Sequence, residues 1–114
     1  MRNEAALQAA ITKYLRSVGA LVYKFASPAH AGVPDLMVVH EGRVLFIEVK
    51  HPNGRGRLTP LQEITIGKIR DRGIDVHVAD SLDTIKKIFP RTGGGDRAPV
   101  RAPGDPVTGA DGVW

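Results

Sequence analysis

Asp35, Glu48 and Lys50 are the residues of this sequence whose types and spacing suggest chemistry. Pro34–His40 and Arg43–Lys50 read as two β-type runs joined by Glu41-Gly42, a short connection ending in glycine that predicts a tight hairpin. If Glu41 and Gly42 are the two turn residues, His40 faces Arg43 and Asp35 lies opposite Glu48. Directly opposed residues on an antiparallel pair hold their Cβ atoms about 4.5–5.5 Å apart. Two carboxylates at about 5 Å repel by roughly 3 kcal/mol at an effective dielectric of about 20. A divalent cation held between them turns that repulsion into ligation. Strand alternation puts Lys50 on the same face as Glu48. Two hard oxygen ligands and a neighbouring ammonium suit phosphodiester hydrolysis assisted by Mg²⁺ or Mn²⁺. In such a site a lysine orients or deprotonates the attacking water, or steadies developing charge.

The elements that must position these residues follow from periodicity. Leu7, Ile11, Tyr14, Leu15 and Val18 recur at helical spacing from Asn3 to Val18, with Asn3 as N-cap and Gly19 as stop. Residues 20–25 are rich in strand formers, and Ser27–Gly32 reads as a loop. In the third run Leu45, Ile47 and Val49 form an apolar face. The other face begins with Val44 and Phe46 and ends with Glu48 and Lys50. His51–Leu58 is a loop containing Pro52, Gly54 and Gly56. Thr59-Pro60-Leu61-Gln62 then opens a helix with Thr59 as N-cap, Pro60 as first residue and Gln62 closing a capping box. Ile74–Ala79 alternates as a strand, and Ser81 caps a short helix through Phe89 that Pro90 stops. The order is helix, three strands, helix, strand, helix: an α/β domain with helices on a small mixed sheet.

A chain of 114 residues suits one domain with a modest core. The domain is expected over residues 1–90. Beyond it glycine, proline and aspartate dominate, and residues 91–114 are expected to be a disordered tail. That tail carries three arginines and three aspartates, so the net charge of +4 belongs to the body of the chain, compatible with a polyanionic partner. The absence of cysteine excludes disulfides and thiolate metal sites. The first residues lead into an amphipathic run unlike a signal peptide, and no segment approaches the roughly 20 apolar residues of a membrane span. A cytoplasmic protein without a membrane partner is expected.

Pro34-Asp35 followed by Glu48-Val49-Lys50 resembles the PD-(D/E)XK nuclease superfamily. More narrowly, Glu4 in the first helix, Gly32–Leu36, Phe46–Lys50 and Leu58–Gln62, in that order, resemble the VRR-NUC family, the virus-type replication-repair nucleases. The resemblance spans residues 3–89 and implies a restriction-endonuclease-like αβββαβα core. It further implies that Asp35, Glu48 and the backbone carbonyl of Val49 ligate Mg²⁺ or Mn²⁺, with Glu4 approaching from the first helix. Lys50 would be the catalytic lysine, and Gln62 would reach the site from the second helix. Small stand-alone members resemble dimeric enzymes that cut branched DNA, which implies a homodimer acting in DNA repair or phage replication, in a bacterial or phage-infected cell.

Each of these residues has a plainer reading. Glu4 suits the first turn of a helix by charge alone, although its spacing to Leu7 and Ile11 puts it on their inward stripe. The capping box by itself accounts for Gln62. Asp35 could be a turn residue at a strand start, and Glu48 and Lys50 the solvated end of an edge strand. Together those readings must still account for two opposed carboxylates and a lysine on one face. Arg55 and Arg57, in the loop after the third strand, and Lys24, at the end of the first, are candidate phosphate contacts. Lys68, Arg70 and Arg72 read as a solvated helix face. The four histidines have no metal-ligand spacing. Two other functions compete: a sequence-reading restriction-like endonuclease, for whose separate recognition domain 114 residues leave no room, and a non-catalytic nucleic-acid-binding module on the same fold.

Overall fold

Asn3 starts the first helix by accepting the Ala6 N–H on its side-chain oxygen at 2.8 Å. The computed structural model describes residues 2–27 and 29–91, and the expected tail therefore lies, after Arg91, outside the described residues. Helix α1 runs Glu4–Ser17 and buries Leu7, Ile11 and Leu15. Gly19, at φ +96°, reverses the chain into strand β1, Leu21–Lys24. Strands β2, Leu36–His40, and β3, Arg43–Val49, form the hairpin. Glu41 and Gly42 both have positive φ, 50° and 79°. A turn with that twist matches the twist of the flanking strands and sets His40 opposite Arg43, with the ladder continuing to Leu36 opposite Ile47.

Helix α2, Pro60–Arg70, crosses over to strand β4, Asp75–Ala79, which pairs parallel to β3. Helix α3, Leu82–Ile88, begins at Ser81, whose hydroxyl accepts the Thr84 N–H. The four strands lie in the order β1-β2-β3-β4, antiparallel except for the last pair. This is the expected α/β nuclease architecture.

The core lies on one face of the sheet. There Leu7, Ile11 and Leu15 of α1, with Ile85 and Phe89 at the other end of the chain, meet Val22, Leu36, Val38, Leu45, Ile47 and Val49. Helix α2 packs on the opposite face against β4, where Ile66 and Val76 are buried. It leaves the β1 and β2 part of that face uncovered, so Leu21 and Tyr23 stay exposed. No described helix is long and apolar enough to cross a membrane.

The ends of the elements refine the expectations. Strand β2 begins at Leu36, not Pro34. One pair beyond Asp35–Glu48, the ladder would need an N–H from Pro34, which proline lacks. Arg70, expected on a solvated face, bonds the Val76 carbonyl through Nε at 3.2 Å and Nη2 at 2.7 Å and ties α2 to β4.

Candidate active site

Where the ladder stops, Asp35 takes over the pairing. Its backbone carbonyl accepts the Phe25 N–H at 2.8 Å, and its side-chain Oδ2 accepts the Val49 N–H at 2.7 Å. Asp35 therefore links β1 to β3 at the end of β2. The register one step past Leu36–Ile47 brings it to Glu48.

Glu48 is 2% exposed, the one charged residue of the described chain that is fully buried. Its Oε2 accepts from Gln62 Nε2 at 3.0 Å and lies 3.3 Å from Lys50 Nζ. Its Oε1 is buried without a hydrogen-bond partner. Burial, and then the Asp35 charge, push the Glu48 carboxyl from an ordinary 4.5 up to about 7; Lys50 opposes this by charge and hydrogen bonding, and Glu4 adds a small push upward.

Gln62 sits at the centre of the arrangement. Its Oε1 accepts from Lys50 Nζ at 2.8 Å and from the Thr59 backbone N–H at 2.9 Å. Thr59 Oγ1 in turn accepts the Gln62 N–H at 3.1 Å, closing the capping box. The residue thus both starts α2 and holds the charged pair. Gly32 lets the loop before Asp35 lie against α2. It has φ +88°, and a Cβ there would stand 3.0 Å from both Cγ and the backbone oxygen of Leu61. Gly56 similarly brings the loop after β3 against Lys50.

Five of the expected residues, Asp35, Glu48, Val49 with its backbone, Lys50 and Gln62, are therefore gathered at one end of the sheet. The others stand apart. The Glu4 side chain is exposed and makes no hydrogen bond or ion pair among the described residues; only its charge reaches Glu48. The inward stripe of α1 begins at Leu7 and leaves Glu4 exposed. Lys24 pairs with Leu36 and so lies on the core face of the sheet, opposite the carboxylates. Arg55 and Arg57 are exposed in the loop, and Arg57 Nη1 donates to the Gly54 and Gly56 carbonyls. Sequence reasoning passed over Thr59 as part of the site; its signal was the capping box, whose partner is Gln62.

A divalent cation suits this end of the sheet on one observation: Glu48 Oε1 is an acceptor shut away from water with nothing to accept from. Hard carboxylate oxygen is the donor such a cation takes. Among the described residues no three His, Cys, Asp or Glu side chains group together, so a cation here would have at most two carboxylates from the side chains.

Comparison with known proteins agrees with the geometry. The chain is 33% identical over 89 residues to p44, a nuclease-named protein of Acyrthosiphon pisum secondary endosymbiont phage 1, covering 77% of this chain and 92% of the phage protein. A solved structure described as a VRR_NUC domain superposes with a TM-score of 0.70 at 27% identity, over 78% of this chain and 96% of its own. The VRR-NUC domain profile matches residues 2–83, and the chain belongs to the VRR-NUC nuclease family.

Proposed function

We propose that the protein is a metal-dependent DNA endonuclease that acts on branched or otherwise structured DNA as a homodimer. The observation that carries this reading is Glu48, a buried carboxylate set beside Asp35 with one oxygen unpartnered and the other held by Gln62 and Lys50. A non-catalytic module gains nothing from such a group, since burying a charge without full compensation costs stability.

Asp35, Glu48 and the Val49 carbonyl are the groups that would hold Mg²⁺ or Mn²⁺, with Glu4 contributing charge from α1. Such a cation would supply Lewis-acid polarisation of a phosphoryl oxygen and would make a water easier to deprotonate. Lys50 Nζ, fixed by Gln62, steadies negative charge on the phosphate or orients the incoming water. Gln62 keeps Lys50 and Glu48 in register with each other and with the start of α2.

The homodimer is supported by surface chemistry. Leu21, Tyr23, Val44 and Val78 are exposed on the sheet face that α1 and α3 do not cover, and Leu61 and Ile64 are exposed on α2. Monomeric soluble proteins rarely leave a large apolar patch open. One active site per chain also favours a two-fold pair for cutting two strands.

The experiment is a cleavage panel. The protein is incubated with Mg²⁺ or Mn²⁺ and four-way junction, flap, single-stranded and linear duplex DNA, with a chelator control and Asp35→Asn alongside. Metal-dependent cleavage strongest on the branched substrates, abolished by chelator and by Asp35→Asn, is the expected outcome. Full activity in Asp35→Asn would overturn the site assignment, and equal cutting of every substrate would overturn the preference.

A further inference from the structure

Beside α1 the structure has a concave feature, on the face of the sheet opposite Glu48. Helix α1 and the edge strand β1 leave between them an open cleft of about 560 Å³. Ala5 and Ala9 line it from the helix and Val22 and Leu36 from the sheet, so an extended chain can approach closely. Lys13, Arg16 and Lys24 also line it, and no carboxylate does among the described residues. Lys13 and Lys24 are exposed, and their side chains make no hydrogen bond or ion pair among the described residues. Arg16 uses Nη2 on the Val22 carbonyl at 3.0 Å and keeps its other donors.

The cleft lies on the other face from the carboxylates but reaches the same end of the sheet. Lys24 is directly opposite Leu36, the residue after Asp35, and the next residue, Phe25, bonds the Asp35 carbonyl. Helix α1 also starts at this end, since Ala5 and Leu36 line the same cleft. From Ala5 to Arg16 the cleft follows α1 for roughly 16 Å, at about 1.5 Å per residue. A strand of duplex DNA rises about 3.4 Å per phosphate along the axis and follows a longer path along its backbone, so that length holds only a few consecutive phosphates.

We propose that this cleft is the track for the sugar–phosphate backbone of the DNA arm that leaves the cutting site, with Lys13, Arg16 and Lys24 as its phosphate contacts. The proposal rests on the nuclease reading above and adds the path of the substrate. The contacts are to phosphate and not to base edges, so they hold and orient DNA without reading its sequence. Arg57, with one guanidinium nitrogen on its own loop, is a lesser contributor.

The test is equilibrium binding by the full chain, without metal so that nothing is cut. Fluorescein-labelled junction and linear duplex are titrated by anisotropy between about 50 and about 200 mM salt. Lys13→Ala/Lys24→Ala is compared with Lys68→Ala/Lys87→Ala, which removes the same charge from exposed positions outside the cleft. Arg16 is left in place because it holds β1. Melting curves of both variants should match the parent, since all four lysines are exposed. Each phosphate contact contributes about 0.9 to the slope of log affinity against log salt. The cleft variant should therefore lose about two units of slope and bind about tenfold more weakly on every sequence, while the control keeps the parental slope. Equal losses in both variants would reduce the effect to bulk charge and overturn the track. A parental slope in the cleft variant would put the DNA elsewhere and overturn it too. Absence of DNA binding by the parent protein would remove the nuclease reading itself, and the track with it.

Discussion

Gln62 faces Glu48 with the donor end of its amide, Nε2 to Oε2 at 3.0 Å, because Thr59 and Lys50 both claim the acceptor end. The orientation is fixed from both sides: reversing the amide would set an oxygen against the carboxylate and its NH₂ against two donors. Helix capping and site geometry are one network.

That network separates two variants. Gln62→Glu can still accept from the Thr59 N–H and keep the box, but it loses the donor to Glu48 and adds a third negative charge. Gln62→Ala loses both. Cleavage should fall at least tenfold in each, while the thermal melt near pH 6 drops clearly only for Gln62→Ala, by about 1 kcal/mol. Equal destabilisation of the two would show that the cap does not depend on the Gln62 oxygen.

Asp35 does two jobs that substitution can divide. Asp35→Asn removes the charge but leaves an oxygen for the Val49 N–H, so cleavage should vanish with little change in folding. Asp35→Ala leaves that part-buried N–H unpaired and should cost about 1–3 kcal/mol in denaturant unfolding. Calorimetric metal titration of the Asn variant should show weakened binding, whereas Lys50→Ala should still bind metal but fail to cut.

Stability should change with pH in a direction set by Glu48. Its carboxyl keeps a proton up to about pH 7 in the fold but releases it near 4.5 when unfolded. Between those values the folded state binds more protons, so the metal-free protein should lose stability as pH rises through that window. His77 acts oppositely: burial lowers its pKa from 6.5, so the fold loses stability on acidification below that value. Chemical denaturation across pH 4–8 checks this. Glu48→Gln should abolish the loss on the alkaline side and be more stable than the parent near pH 8; an unchanged profile would contradict the raised carboxyl.

Gly32→Ala tests the contact between the Asp35 loop and α2. The new methyl meets a positive φ and a backbone oxygen 3.0 Å away that cannot move independently of the helix. A loss of about 1–3 kcal/mol is expected, with activity falling further than stability because Gln62 moves with α2. Gly42→Ala, at φ +79° in open space, should cost only backbone strain of about 1 kcal/mol and leave cleavage intact.

The hairpin register was legible in the sequence because two residues, Glu41 and Gly42, determine every pair beyond them. The start of α2 was legible for the same reason: capping is local chemistry among Thr59, Pro60 and Gln62. Less was legible where the answer depends on elements distant in sequence. The depth of Glu48 depends on α2 folding over it, which no pattern within β3 reveals. Glu4 continues the stripe of Leu7 and Ile11 yet is exposed, because periodicity gives a direction around the helix axis and not where the sheet beneath it ends. Lys24 illustrates the same gap from the strand side: the sequence put it at the end of a strand, but only the packing of α1 made its surroundings a cleft.

The amide shared between cap and site also bears on how the chain can change over generations. Glutamate at position 62 satisfies the helix alone, alanine satisfies neither partner, and the shorter asparagine does not span the same distances. Few single steps away from glutamine leave both folding and cleavage intact. Position 62 is therefore poor ground for neutral drift, and a lineage that lost it would need a second change at Glu48 or Thr59 to settle.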